Sequence, residues 1–221
     1  MLGNDVVDLG DPGTREGATH PRFDARVLAR SEREALAREP APRRLRWALW
    51  AAKEAAYKAA KKRDPRTVFS PRRFVVALRP ARDGGLEGAV RHGRLRLAVR
   101  VEVGADAAWV HALAGDPLPE PGALCAGLLE LAPDEADAGR AVRDAARRAL
   151  APRLGVDPGG LVFVREGRVP RLRLHGAPAA VDVSLSHHGR FAAFAAAPLP
   201  AAGAPQVFRP AAAAVDGVAA R

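Results

Sequence analysis

The segment Trp50-Ala-Ala-Lys53-Glu54-Ala-Ala-Tyr57-Lys58 gathers a carboxylate, two ammonium groups and two aromatic rings within nine residues. On a helix, residues three and four apart are neighbours, so Trp50, Glu54 and Lys58 stack on one side. A carboxylate that holds a hard cation, next to an ammonium that holds a phosphate, is the minimum equipment for a metal-bound pyrophosphate. The same Glu–Lys spacing also describes an ordinary solvated helix face. Two further segments bear on the choice: Gly3-Asn4-Asp5-Val6-Val7-Asp8-Leu9 near the start and Ser184-Leu185-Ser186-His187-His188-Gly189-Arg190-Phe191 near the end.

The elements that must position these residues are legible in outline. Residues 3–9 read as a short strand closed by the turn cluster Gly10-Asp11-Pro12-Gly13. A helix is expected over 24–39, bounded by Pro40 and Pro42, and a second over 43–62, stopped by Pro65. In the second helix Leu45, Leu49, Ala52, Ala56 and Ala59 recur at helical spacing. Strands are expected at 73–78, 94–103 and 108–114, and 115–123, rich in Pro and Gly, reads as a linker. Beyond it, a helix over 137–154 precedes strands at 161–165, 172–174, 181–184 and 190–196. Residues 108–114 and 189–195 resemble each other faintly, a hint of an internal repeat. The Ala/Pro/Gly-rich stretch after Pro198 reads as a flexible tail.

Composition narrows the class. A chain of 221 residues is long enough for one large domain or two small halves. No apolar run reaches the length of a membrane span, and the first residues lack the pattern of a secretory leader. Cys125 is the single cysteine, which excludes an internal disulfide and suits a reducing cytoplasm; a small buried apolar role is expected for it. The net charge of +10 attracts polyanions. Nucleic acid is not the expected partner, because aromatic residues are few and none cluster among the basic ones. His187 and His188 are not read as metal ligands, since adjacent side chains diverge and no other His stands at ligand spacing nearby. Ser186 and His187 are not a hydrolase dyad, because no Gly-x-Ser-x-Gly elbow is present.

Taken together the three motifs resemble the 4'-phosphopantetheinyl transferase superfamily, which carries a Gly-x-Asp strand, a Trp-x-x-Lys-Glu-x-x-x-Lys helix and a Ser-x-Ser-His turn. His20-Pro21-Arg22-Phe23 through Val27-Leu28 to Glu32 resembles its first helix, and Gly167-Arg168-Val169-Pro170 its basic turn. The resemblance covers most of 1–77 and 139–197. It implies an α+β fold of two pseudo-symmetric halves, 1–115 and 124–197, in permuted order relative to the long members of the family, followed by the tail 198–221. The alternative is a short-type subunit with an insertion, which would trimerise; the permuted pair of halves implies a monomer.

The implied reaction moves phosphopantetheine from coenzyme A to a serine of an acyl or peptidyl carrier protein and releases 3',5'-ADP. The resemblance makes Asp5 and Glu54 the Mg²⁺ ligands, and Lys58 the pyrophosphate contact. Lys53 is a candidate phosphate contact, although its helical position equally suits the surface. Arg168, Ser186 and His187 are the nucleotide-phosphate contacts, and Arg22 and Arg26 face the acidic carrier. Where the two-halved members place an acid two positions after the first aspartate, this chain has Val7. Asp8 alternates away from Asp5 on a strand and is read as a supporting or structural residue. The contrasting readings are a non-catalytic relative that docks carriers or nucleotides, and a basic nucleic-acid binder.

Overall fold

Helix α3 (Pro42–Arg63) is the element on which the first motif rides. Pro42 in its first turn has no N–H to leave unsatisfied, and its C-cap Asp64 is extended, as expected of a residue before Pro65. Its alanines 48, 51, 52, 55, 56, 59 and 60 are all buried. Small side chains let strand β1 (Leu2–Asp8) lie directly on the helix. At Gly3 the approach is closest: a Cβ there would sit 2.0 Å from the Ala55 carbonyl oxygen. Glycine is thus required by the helix packed on it.

The computed structural model describes residues 1–199 and Phe208. β1 forms one edge of an antiparallel sheet in the order β1-β5-β4-β3-β2, built with β2 (Val75–Pro80), β3 (Leu86–His92), β4 (Leu95–Val103) and β5 (Trp109–Gly115). Val76, Val90, Val99, Val101 and Val110 share a core with the α3 alanines. A second sheet, in the order β10-β11-β6, comprises β6 (Cys125–Glu130), β10 (Val181–His188) and β11 (Phe191–Pro198). Helix α4 (Ala138–Leu154) packs on it through Val142, Ala146 and Leu150, spaced as one helical stripe. A third small sheet holds β7 (Leu161–Glu166), β8 (Val169–Leu174) and β9 (Ala177–Pro178).

The expected helix over 24–39 is two short helices, α1 (Phe23–Val27) and α2 (Arg30–Leu36). Leu28 between them is extended and fully buried, and the Glu32 carboxylate accepts the Ala29 N–H at 2.6 Å, restarting the helix. The expected turn at Ser186-His187 is also corrected. β10 runs on through His188, and the reversal is the two-residue loop Gly189-Arg190, with Gly189 at φ +54°. Strands β3 and β6 were not anticipated. Gly88 and Gly127 interrupt their patterns, and each sits where a Cβ would strike a neighbour, the Ala77 carbonyl and the Phe194 ring respectively. Cys125 is buried and unpaired, as expected. The expected tail begins at Pro198, which completes β11, and Phe208 is buried in the second core; the rest of that expectation, from Pro200 on, lies outside the described residues. No described helix is long and apolar enough to cross a membrane.

Candidate active site

Strands β1 and β10, the free edges of the two main sheets, lie side by side. Alternate backbone N–H groups of β1 are donated to side chains of β10: Leu2 to Asp182 Oδ2 (2.6 Å), Asn4 to Ser184 Oγ (2.9 Å) and Asp8 to His188 Nδ1 (3.2 Å). Each bond spans 180 positions, so the two strands run in parallel register. Side chains therefore satisfy edge donors that a ladder strand would otherwise satisfy. Even-numbered residues of β1 face this seam. Gly3 and Val7, and with them Asp5, face α3.

That alternation decides the two aspartates. Asp5 meets Lys58 of α3, with 2.8 Å between Oδ1 and Nζ, and Lys58 also donates to the Asn4 carbonyl at 2.9 Å. Asp8 points the other way and is buried. Its carboxylate accepts the Gly10 N–H (2.7 Å), the Arg190 N–H (2.9 Å) and two guanidinium bonds from Arg190 (3.1 Å each). Burial alone would raise its pKa, but the hydrogen bonds from Arg190 and Gly10 outweigh that and hold it below the ordinary carboxylate value. Asp8 is thus a tie between the two sheets, in keeping with its structural reading.

Glu54 stands one helical turn before Lys58. Its pKa is raised to about 7, first by burial and then by the neighbouring charge of Asp5, with Lys58 opposing. Asp5 is raised in the same way, chiefly by burial, against Lys58, His188 and His187. Two half-buried carboxylates with a single ammonium between them are short of positive charge. Among the described residues no third His, Cys, Asp or Glu joins them. Two carboxylates with open positions are the donor set that suits Mg²⁺, which takes its remaining oxygens from water and phosphate. The residues therefore fit the ion, which Asp5 and Glu54 could hold.

Across the seam, the β7–β8 hairpin turns at Gly167-Arg168 and brings Arg168 to a cavity of about 180 Å³ shared with Tyr57, Lys58, Lys61, Lys62 and Leu185. An ammonium has three donors. Lys58 spends two, on Asn4 O and Asp5, and Lys61 one, on Thr67 O. Among the described residues the remaining donors and the Arg168 guanidinium have no partner, and they could bind an anion such as phosphate.

The other expected residues are placed as follows. Trp50 flanks the site between Phe23 and Phe69, at centroid distances of 5.8 Å to each. Arg22, the N-cap of α1, and Arg26 within it are both exposed. His187 is exposed, whereas Ser186 is buried; its hydroxyl accepts from Asn4 Nδ2 (3.2 Å) and donates to Ala193 O (3.5 Å). Lys53 is a correction to both of its expected roles, because it is neither at the cavity of Lys58 and Arg168 nor on the surface. Its side chain is fully buried and donates to Glu32 (2.7 Å), Phe74 O (2.6 Å) and Pro71 O (3.1 Å).

Sequence reading missed Asn4, Lys61, Lys62, His111, Asp182 and Arg190. For Asp182, its place in the apolar–polar alternation Val181-Asp182-Val183-Ser184-Leu185-Ser186 was the available signal. His111 lies beneath the seam, with Nε2 3.4 Å from Asn4 Nδ2. Burial, helped by the charge of Lys58, lowers its pKa to about 4. Between pH 6.5 and 4 the unfolded chain binds a proton that the folded chain refuses, so stability falls on acidification through that window. Compared with His111→Gln in chemical denaturation at pH 7 and pH 4, the wild type is expected to lose about 3 kcal/mol more.

No curated protein matches the chain. The family model described as the 4'-phosphopantetheinyl transferase superfamily matches residues 1–114. That is just over half of the chain and includes β1 and the whole of α3, so Asp5, Glu54 and Lys58 all lie inside the match. With the match and the paired carboxylates of β1 and α3 in agreement, the chain belongs to the 4'-phosphopantetheinyl transferase superfamily.

Proposed function

We propose that the protein transfers 4'-phosphopantetheine from coenzyme A to a serine hydroxyl of an acyl or peptidyl carrier protein, with Mg²⁺, releasing 3',5'-ADP. The observation that supports this reading is that Lys58, paired with Asp5 and neighboured by Glu54, shares a cavity with Arg168. Lys58 and Arg168 bind and orient the phosphates, and the third N–H of Lys58 takes up charge on the departing pyrophosphate oxygen. Mg²⁺ held by Asp5 and Glu54 supplies charge neutralisation on the pyrophosphate when bound. The carrier serine oxygen forms the new bond to phosphorus as the bond to the adenosine-side phosphate breaks, and the serine proton passes to Glu54. Arg22 and Arg26, exposed at the start of α1 and within it, are the groups offered to an acidic carrier. Exposed His187 is a candidate phosphate contact, and Ser186 acts there only if its hydroxyl leaves Ala193.

We also infer two pseudo-symmetric halves in permuted order, acting as a monomer. In each half the first strand pairs with the last, β1 with β5 and β6 with β11, and the helix that packs on the sheet follows that first strand. The two faintly similar segments of the sequence are these last strands, β5 and β11. A trimer in solution would contradict the monomer.

The substrate assignment is tested by calorimetric titration of coenzyme A into the protein with and without Mg²⁺. Binding that strengthens with Mg²⁺ and weakens about tenfold or more in Arg168→Ala is expected. Absence of binding would contradict the assignment and favour a relative that serves only to dock carriers.

A further inference from the structure

Lys62 and Asp182 form a buried ion pair at the seam, 2.7 Å apart, with side chains 2% and 5% exposed. Lys62 Nζ also donates to Leu2 O (2.5 Å) and Val183 O (2.6 Å), while the second oxygen of Asp182 accepts the Leu2 N–H at 2.6 Å. All three ammonium donors are thereby spent inside the protein. Lys62 lines the same cavity as Lys58, Lys61 and Arg168, yet it has no donor left for an anion there.

What the pair holds is the junction of three elements. Lys62 lies one helical turn beyond Lys58 on α3. Leu2 precedes Asp5 on β1, and Asp182 precedes Ser186 and His187 on β10. Lys62 reaches past its own sheet to the backbone of both edge strands, so one ammonium fixes the register in which they meet. The next rungs, Asn4 on Ser184 and Asp8 on His188, repeat that register.

We propose that Lys62 and Asp182 are positioning residues of the transferase site: they set the register of β1 and α3 against β10, and through it the affinity for the nucleotide portion of coenzyme A. The inference rests on the transferase reading for its ligand but not for its geometry. Two half-sites on separate sheets bind one phosphorylated ligand tightly only when their spacing is fixed beforehand.

The test uses Asp182→Asn, which keeps an acceptor for Leu2, and Lys62→Met, which keeps the length of the side chain. Loss of one partner of a buried pair is destabilising, so each variant is first checked for its folded near-ultraviolet dichroism. If Lys62→Met does not fold, Asp182→Asn decides. Two readouts are taken: the Kd for 3',5'-ADP by calorimetry, and amide hydrogen exchange at Leu2, Asn4 and Asp8. Expected are an affinity weaker by about tenfold or more and lost protection at all three amides. Unchanged affinity in a folded variant, or loss of protection at Leu2 alone, would overturn the proposal. Tighter binding in Asp182→Asn would also overturn it, because it would show Lys62 freed to take the anion directly. A wild type that binds no 3',5'-ADP would count against the transferase reading, and the exchange measurements would still decide whether the pair sets the seam.

Discussion

Glu54→Gln is expected to abolish carrier modification, lowering the rate roughly a thousandfold or more, while melting at or above the wild-type temperature. The two halves of that expectation have one cause. Glu54 is a half-buried carboxylate whose pKa is pushed up to about 7 by burial and by Asp5. Between its ordinary value and 7 the folded chain binds a proton that the unfolded chain releases, so stability falls as pH rises through that window. At neutral pH its charge therefore costs stability, and an amide of the same shape removes the cost together with the function. Asp5→Ala should lose the same activity but leave Lys58 without its partner, so its stability is expected to hold or fall slightly. Rate is read by mass spectrometry of the carrier and stability by thermal denaturation. Near-normal activity of either variant would show that the metal and phosphate assignment is wrong.

Lys53→Ala is expected to act oppositely, by destabilising the fold by about 3–5 kcal/mol. The ammonium is buried on α3, pinned to Glu32 and to the carbonyls of Pro71 and Phe74. Glu32 in turn accepts the N–H groups of Ala29 and Val76. One ion pair thus joins α2, α3, the turn before β2 and β2 itself. Removing the ammonium leaves a buried carboxylate and two carbonyls without their donor. Burial lowers the pKa of Lys53, and the charge and hydrogen bond of Glu32 oppose that. Urea denaturation measures the loss. A variant of unchanged stability with a raised KM for coenzyme A would restore Lys53 to the phosphate site.

The contrast between these neighbouring residues shows what the sequence could convey. Helical spacing placed Trp50, Glu54 and Lys58 on one side of α3, and strand alternation separated Asp5 from Asp8 by face. Both inferences need only local geometry, and both agree with the structure. Lys53 and Glu54 are adjacent and equally polar, and nothing local distinguishes a charge that meets a distant buried partner from one that faces a cleft. Glu32, the partner of Lys53, lies 21 residues earlier. The β1–β10 seam was illegible for the same reason, since its bonds join residues 180 positions apart. The break between α1 and α2 was hidden because Glu32 supplies a cap from within what reads as one continuous helix. Ser186 was expected in a turn because the family resemblance describes its Ser-x-Ser-His segment as one, whereas the strand continues through it to His188 before the chain reverses at Gly189-Arg190.

The central claim, that the Asp5–Glu54–Lys58 and Arg168 groups form one phosphopantetheinyl transfer site, is tested most directly by intact-mass spectrometry of apo-carrier proteins. The carriers are incubated with this protein, coenzyme A and Mg²⁺. A gain of one phosphopantetheine on the carrier, lost on adding EDTA and absent with Glu54→Gln, is the predicted result. No mass gain on any carrier from the folded wild-type protein, or a gain that persists with Glu54→Gln, would contradict it.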